Sequence, residues 1–395
     1  MYKKILLCLD NSKESDYAME AAIRLGAACG SEVTGCHVYA ARLHETRFVQ
    51  METGLPEQYQ SETILKRQRE IHESLIGKGL NIIADSYLDK FEAAARDRGV
   101  AFKRRNREGK NYYELVREAA EGGYDLVVMG GLGKGAVEHS LIGGVCERVS
   151  RAVKMDVLVV KTNSFNARVM VGIDGSPSSF AALMSALTLK KVFGNEVTAY
   201  AAFDPYFHQV AFRNIAGTLS DEAGKIFRFK EQQKLHDEII DKGLAKLYQA
   251  HLDTAYKVAK AATASVEIKT ELLAGKAFNE ILKNCQSATT SFLAVGRFGL
   301  HVAPESEIGN TTENLLRMAQ TNIFISSGQF NVDEKAEGPA ASGLKWTEGA
   351  MKRMGNIPEF ARGMAKKAIE DYTSRKGCAE VTEEIVSEAR KSFGM

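Results

Sequence analysis

The sequence predicts an α/β fold: two tandem doubly wound domains, each with a five-stranded parallel sheet, followed by a small all-helical module. Three observations predict it. The chain repeats itself at a spacing of 164–166 positions. Each copy alternates short apolar runs with longer segments of helical periodicity, the pattern of strands joined by right-handed helical crossovers. Residues 343–395 instead carry charge plus Ala, Met and Ile at helical spacing.

The repeat rests on anchors in one order. Asp10-Asn11-Ser12 follows KKILLCL, and Asp174-Gly175-Ser176 follows ARVMVGI. Ser31-Glu32-Val33-Thr34 matches Asn195-Glu196-Val197-Thr198. His72 with Lys78-Gly79-Leu80 matches His236 with Lys242-Gly243-Leu244, and Gly109-Lys110 matches Gly275-Lys276. Gly130, Gly133 and Gly143 match Gly296, Gly299 and Gly309. The expected domains are residues 1–163 and 164–330, a linker over 331–342, and a tail over 343–395.

In the first copy, residues 3–9 read as a strand buried on both faces. Ser12 caps the helix that follows, to about Cys29. A second strand covers 32–39, then a long polar loop over 40–62. An amphipathic helix follows with Leu80, Ile83, Tyr87, Phe91 and Ala94 on its apolar face. Residues 99–106 read as a strand, 111–121 as a helix, and 125–129 as a strand. A Gly-rich loop leads into a helix at about 143–153, and 156–161 is the fifth strand. The second copy repeats this order, with a second long loop over 203–220. In the tail, Pro358 suits a helix first turn, Thr382 with Glu383 and Glu384 another helix start, and Gly377 the helix end between them. Its core candidates are Trp346, Met351, Met354, Ile357, Phe360, Met364, Ile369, Tyr372, Val381, Ile385, Val386 and Phe393.

Composition narrows the function. The 395 residues carry 52 basic and 50 acidic side chains, a net charge of +2, too balanced for a protein built on phosphate-backbone binding. The densest basic stripe, Lys103, Arg104, Arg105, Arg107 and Lys110, reads as a solvated strand edge. No nucleic-acid partner is expected. No two of the six cysteines form a C-x-x-C. The first apolar run ends at Asp10, too short for a secretory signal, and no run approaches the about 18 apolar residues of a membrane span. The expected compartment is the cytoplasm, with no membrane partner.

The sharpest constellation is Gly130-x2-Gly133-x9-Gly143-Gly144, after a buried strand and running into a helix. Glycines let backbone approach a phosphate, and a helix start turns its free N–H groups toward the same place. Lys134 adds a point charge. The second copy has Gly296-x2-Gly299-x9-Gly309-Asn310, with Leu300 in place of Lys134 and with Glu305 and Glu307 in the loop. Neither loop has the P-loop or Rossmann spacing.

Both halves resemble universal stress protein domains, whose nucleotide-binding members carry G-x2-G-x9-G-[S/T] after the fourth strand. The resemblance covers about residues 1–328. It implies ATP, with Mg²⁺, as ligand. It implies that Asp10 and Val38 flank the adenine while Gly130, Gly133, Gly143 and Gly144 hold ribose and phosphates. The matching second set is Asp174, Ala202, Gly296, Gly299, Gly309 and Asn310. The motif's last hydroxyl is Gly144 in one copy and Asn310 in the other, and acidic side chains disfavour a triphosphate, so the first copy is the expected tighter site. The tail, from Trp346-Thr347-Glu348 through Ile357-Pro358-Glu359-Phe360 to Val381-Thr382-Glu383-Glu384, resembles the small helical domain that ends the larger, B-type polypeptide of light-independent protochlorophyllide reductase. The resemblance does not extend to the nitrogenase-like reductase body of that polypeptide, so the reductase activity is not implied.

His72 and His236 read as half-buried contacts, and His139 and His301 as loop residues within reach of a phosphate. No catalytic base or arginine finger can be named, which leaves at most a slow ATPase. Three readings remain: a nucleotide-dependent regulator that docks a partner, a nucleotide-free scaffold, and a slow ATPase or electron-transfer flavoprotein-like enzyme. The two repeats are expected to pack as an intramolecular pseudo-dimer through 156–161 and 321–326, with dimers of the whole chain through the inserted helices, or a homodimer or client protein held through the C-terminal helices.

Overall fold

The computed structural model describes residues 2–205, 214, 231, 241–263, 266–287, 289–301, 305–332, 344–355, 357, 359–378 and 380–392, and elements are numbered over those residues. They form two compact units, Met1–Asn331 and Val332–Met395.

The first repeat runs β1 (Lys4–Cys8), α1 (Lys13–Cys29), β2 (Glu32–Tyr39), α2 (Ala41–Met51), α3 (Glu62–Asp97), β3 (Phe102–Glu108), α4 (Asn111–Glu121), β4 (Leu126–Gly130), α5 (Gly144–Ala152) and β5 (Asp156–Val160). The second runs β6 (Arg168–Gly172), α6 (Pro177–Phe193), β7 (Val197–Phe203), α7 (Asp241–Ala262), β8 (Lys269–Ala274), α8 (Ala277–Ser287), β9 (Thr290–Gly296), α9 (Asn310–Met318) and β10 (Asn322–Ser326). Ser12 and Ser176 cap α1 and α6 by accepting from the N–H of Ser15 and Ser179, and left-handed Gly30 and Gly194 end them.

The sheet joins the two repeats through their fifth strands, β5 and β10, as the expected pseudo-dimer requires. It is a single ten-stranded sheet in the order β3-β2-β1-β4-β5-β10-β9-β6-β7-β8. Every pairing is parallel except β5 with β10, which is antiparallel, with Val159 opposite Ile323 and Val157 opposite Ile325. Val157, Leu158, Val159, Ile323, Phe324 and Ile325 are all buried. Two apolar edges of this kind gain ladder hydrogen bonds and lose their solvent-facing backbone by pairing.

Three expectations are corrected. The segment 40–62 is not a long loop: α2 occupies it, with short 3-10 turns at Glu52–Gly54 and Glu57–Tyr59. The buried face of α3 is Ala84, Leu88, Phe91 and Ala95; Ile83 is exposed, because the face is set by packing onto β2 and β3. The packing has a counterpart in the other repeat. A Cβ at Gly35 would meet the Phe91 ring at 2.6 Å, while 164 positions on stand Ala199 and Ala255. The ring over a glycine is replaced there by two small side chains. The basic stripe on β3 is not simply solvated. Arg104 reaches Asp85, Asp89 and Glu92 on α3, and Arg107 reaches Glu118 and Glu121 on α4. The edge strand is neutralised from both sides.

The tail unit holds α10 (Glu348–Gly355), α11 (Glu359–Arg375) and α12 (Glu383–Ser392). It is not all-helical: β11 (Lys345–Trp346) pairs in parallel with β12 (Glu380–Val381). Its core gathers Ala350, Met354, Ile369, Val381, Ile385, Val386 and Ala389, with Trp346 and Tyr372 against it. Met351, expected inside, is exposed. Thr382 accepts from Ile385 N–H at 3.3 Å, and left-handed Gly377 lies just after α11. His236, most of the loop 203–220, most of the linker 331–342 and the side chains of Pro358, Phe360, Met364 and Phe393 lie outside the described residues.

Candidate functional site

The carboxyl ends of β1 and β4 lie side by side. The chain leaves β1 toward β2 and leaves β4 toward β5, on opposite sides, so a crevice opens between them. Asp10 and the loop 130–144 stand there. The β1–β2 register, Cys8 level with Cys36, brings Val38 level with Asp10 two residues on.

Asp10 is the organiser. Its Oδ1 accepts from the Ser12 N–H at 3.0 Å and the Ser12 hydroxyl at 2.6 Å. Its Oδ2 accepts from the Lys134 N–H at 3.2 Å, tying the glycine loop to β1. Three of the glycines sit where a Cβ would crowd its neighbours. A Cβ at Gly133 would lie 2.6 Å from Asp10 Oδ2. One at Gly130 would lie 2.8 Å from the Ser15 nitrogen, where α1 crosses. One at Gly143 would lie 3.3 Å from the Gly131 carbonyl oxygen, which accepts from the Gly143 N–H at 2.7 Å. Gly144 differs: a Cβ there would meet nothing within 4 Å. Its open side faces the start of α5, whose first-turn N–H groups have no intrahelical acceptor. The result is a backbone cradle with a positive dipole end.

Lys134 does not point freely into solvent. Its Nζ donates to the Tyr87 hydroxyl at 2.7 Å and sits 4.7 Å from that ring's centre. The Tyr87 ring meets His37 edge-on at 5.0 Å. His37 Nδ1 lies 2.6 Å from the Leu9 carbonyl oxygen, and burial pushes its pKa below the ordinary histidine value.

The second repeat copies the cradle but not its surroundings. Asp174 holds Ser176 through Oδ1 and the Leu300 N–H through Oδ2, the latter at 3.2 Å. A Cβ at Gly299 would lie 2.6 Å from Asp174 Oδ2, one at Gly296 2.9 Å from the Ser179 nitrogen, and one at Gly309 3.3 Å from the Arg297 carbonyl oxygen. Ala202 is level with Asp174, since Gly172 pairs with Tyr200. Asn310 opens α9. The cluster Tyr87, His37, Lys134 becomes His251, Ala201, Leu300. The His251 ring packs on left-handed Gly175, where a Cβ would meet it at 2.4 Å. Glu307 does not face the cradle: it pairs with Arg151 of the first repeat at 3.2 Å.

Sequence reasoning placed the glycines and both aspartates and missed Tyr87, His37 and His251 as neighbours of the loops. Comparing the repeats at 164 positions was the available signal, because it aligns Tyr87 with His251. His72, read as a half-buried contact, stacks on Phe48 at 4.3 Å. Exposed His139 adopts a left-handed backbone at the loop's outer tip. Among the described residues no cluster of three His, Cys, Asp or Glu could hold a metal, and no helix is long and apolar enough to cross a membrane.

Residues 1–161 match the model of the universal stress protein family, and residues 346–390 match that of the proto-chlorophyllide reductase 57 kD subunit. The chain is similar to universal stress protein MJ0531 of Methanocaldococcus jannaschii, 32% identical over 161 residues, covering 41% of this chain and 83% of that one. It is 26% identical over 161 residues to universal stress protein YxiE of Bacillus subtilis, covering all of that protein. A match in the tail region, to the B-type polypeptide of light-independent protochlorophyllide reductase from Prochlorococcus marinus, is 29% identical over 90 residues and spans only 15% of that protein. The solved structure of a universal stress protein from Archaeoglobus fulgidus covers 82% of this chain with a TM-score of 0.51 at 16% identity, a likeness of fold.

Proposed function

The chain belongs to the universal stress protein family, and from that premise we propose that it is a nucleotide-dependent regulator in which two copies of the domain, residues 1–163 and 164–330, work as one body. Its ligand is ATP with Mg²⁺, held by the first repeat. The observation that carries this reading is the cradle at Gly130, Gly133, Gly143 and Gly144, where a Cβ would crowd its neighbours at three positions and meet open space at the fourth, at a helix start. Backbone N–H groups of the loop and of α5 would take the phosphates, and Asp10 and Val38 would flank the base. Lys134 would exchange its Tyr87 contact for a phosphate oxygen. In this reading ATP acts by occupancy, and the Asp10 carboxylate is engaged by Ser12 and by the Lys134 N–H. The second repeat is the weaker binder, because Leu300 brings no charge and His251 covers Gly175. The tail is a docking module for a client, and the protein is cytoplasmic.

The test is direct. The pure full-length chain is denatured and the supernatant analysed by mass spectrometry, with calorimetric titration of ATP and Mg²⁺ into the nucleotide-free protein. One adenine nucleotide per chain is expected. No nucleotide and no titration heat would favour the scaffold reading. Visible absorbance from a flavin would favour the electron-transfer reading.

A further inference from the structure

The amino-terminal part of α3 packs against α2. Its buried face there is met by α2 and the turn after it: Phe48 stacks on His72, and Arg69 makes a bidentate pair with Glu52 at 2.6 and 2.5 Å. The arm is therefore a built hairpin. On the side that α2 leaves uncovered, Ile64, Ile71, Leu75 and Ile82 are 37%, 49%, 66% and 70% exposed. At about 100° per residue they fall within a stripe roughly 40° wide and 27 Å long. An exposed apolar row at this spacing on a helix is a seam, not scattered surface.

The seam is its own complement. Its spacings are 7, 4 and 7, symmetric about residue 73. A second copy laid antiparallel across a twofold axis at that point places Ile64 level with Ile82 and Ile71 level with Leu75, at both ends alike. The remaining layer sets Gln68 against Lys78, and Lys78 then stands beside Glu70 of the second copy. Both charges are exposed, and neither has an ion-pair partner among the described residues. Gly79, flanking the seam, has open space where a Cβ would be, so no contact among the described residues accounts for it. A glycine inside a helix costs about 1 kcal/mol relative to alanine. The second repeat does not repeat the seam: 164 positions on stand Arg228, Leu235, Ile239 and Lys246, with cations at both ends.

We infer that α3 of one chain pairs antiparallel with α3 of a second copy along Ile64, Ile71, Leu75 and Ile82, making a homodimer that uses neither the sheet nor the nucleotide loops. The isologous contact is what a closed twofold dimer requires. The interface is short, so the dimer dissociates on dilution.

Sedimentation equilibrium of the full-length chain from 1 to 100 µM tests it, nucleotide-free and with ATP. Wild type is expected to reach twice 43.3 kDa at the upper end in both conditions. Leu75→Glu and, separately, Ile82→Glu should stay monomeric with an unchanged unfolding midpoint, since both side chains are exposed. Lys78→Glu should weaken the dimer at least fivefold, and adding Glu70→Lys should restore it, because the pair is exchanged across the axis. Ile239→Glu should have no effect. A monomeric wild type at 100 µM overturns the inference. So does a dimer that survives Leu75→Glu, one indifferent to Lys78→Glu, or one broken by Ile239→Glu, which would point to the second repeat's segment as the occupant.

Discussion

Lys161 and Arg297 cap each other's repeats. The Lys161 ammonium, at the end of β5, donates to the carbonyls of Leu316 and Ala319 at 2.7 and 2.6 Å, where α9 ends. The Arg297 guanidinium, after β9, donates to the carbonyls of Ser150 and Arg151 at 2.9 and 3.3 Å, where α5 ends. Each cation meets the negative end of a helix dipole from the other half. The two come from non-equivalent positions: Arg297 aligns with Gly131, and Lys161 with Ser327. Gly131 is small because a Cβ would lie 2.7 Å from Lys161 Cγ.

Arg297→Met should destabilise the ten-stranded unit by about 1–3 kcal/mol, because buried carbonyls lose their donor and the added methyl group brings none. The Ser327 hydroxyl, which accepts from Arg297 Nε at 2.7 Å, loses that contact too. Urea unfolding followed by far-UV circular dichroism measures it. A cost below about 0.5 kcal/mol would mean that the caps contribute nothing to the joint.

Burial pushes the Lys161 pKa down to about 8 from an ordinary 10.5. The folded state thus binds fewer protons than the unfolded state between those values, and stability rises with pH across that window. The charged form's desolvation burden is fully present below pH 8. Wild type should therefore gain stability relative to Lys161→Met between pH 8 and 10, by up to a few kcal/mol. A difference that stays flat would show that the ammonium keeps its ordinary affinity for the proton.

Gly133→Val should weaken ATP binding at least tenfold, about 1.4 kcal/mol, because the side chain pushes on Asp10 and fills the cradle. Gly144→Ala should leave the unfolding midpoint unchanged, since its Cβ enters open space. Calorimetric titration with thermal melts on both variants separates binding from folding.

Lys134→Met should weaken ATP by about 1 kcal/mol at low salt and less at high salt, as a screened charge would. Tyr87→Phe should not weaken it, because the hydroxyl competes with phosphate for the ammonium. Weaker binding in Tyr87→Phe would instead give the hydroxyl a ligand contact.

The only tryptophan, Trp346, is in the tail, where its indole N–H donates to Glu370 at 3.0 Å. Indole emission should follow unfolding of Val332–Met395 alone. Deleting residues 343–395 should abolish that emission and leave ATP affinity within twofold. A larger loss would mean that the tail takes part in nucleotide binding.

Much of this architecture is legible in the residues. Expected strands at 32–39 and 125–129 fall within one residue of the observed ones, and at 125–129 a continuous apolar run bounded by Asp and Gly marks a strand buried on both faces. The glycine spacing marked both cradles. The helical character of 40–51 was hidden because α2 buries little of itself: of its side chains only Ala41 is buried. The crossed caps were hidden for another reason. Lys161 and Arg297 are single polar residues whose acceptors are backbone carbonyls about 150 positions away, and a carbonyl has no residue type. The reciprocal exchange of Gly131 for Arg297 and Lys161 for Ser327 was the trace they left.

The joint between β5 and β10 also sets an order of events during synthesis. Val160 leaves the ribosome 162 residues before Asn322. At roughly 5–20 residues per second, the DVLVV strand waits about 8–30 s for its neighbour. Throughout that interval the nascent first repeat is complete except for one bare apolar edge. A pause before residue 322, or a stop codon after the first repeat, would leave that edge open to another nascent chain on the same messenger. Such truncated products are expected to pair with one another through β5 or to require a chaperone, and the full-length chain escapes both by carrying its own β10.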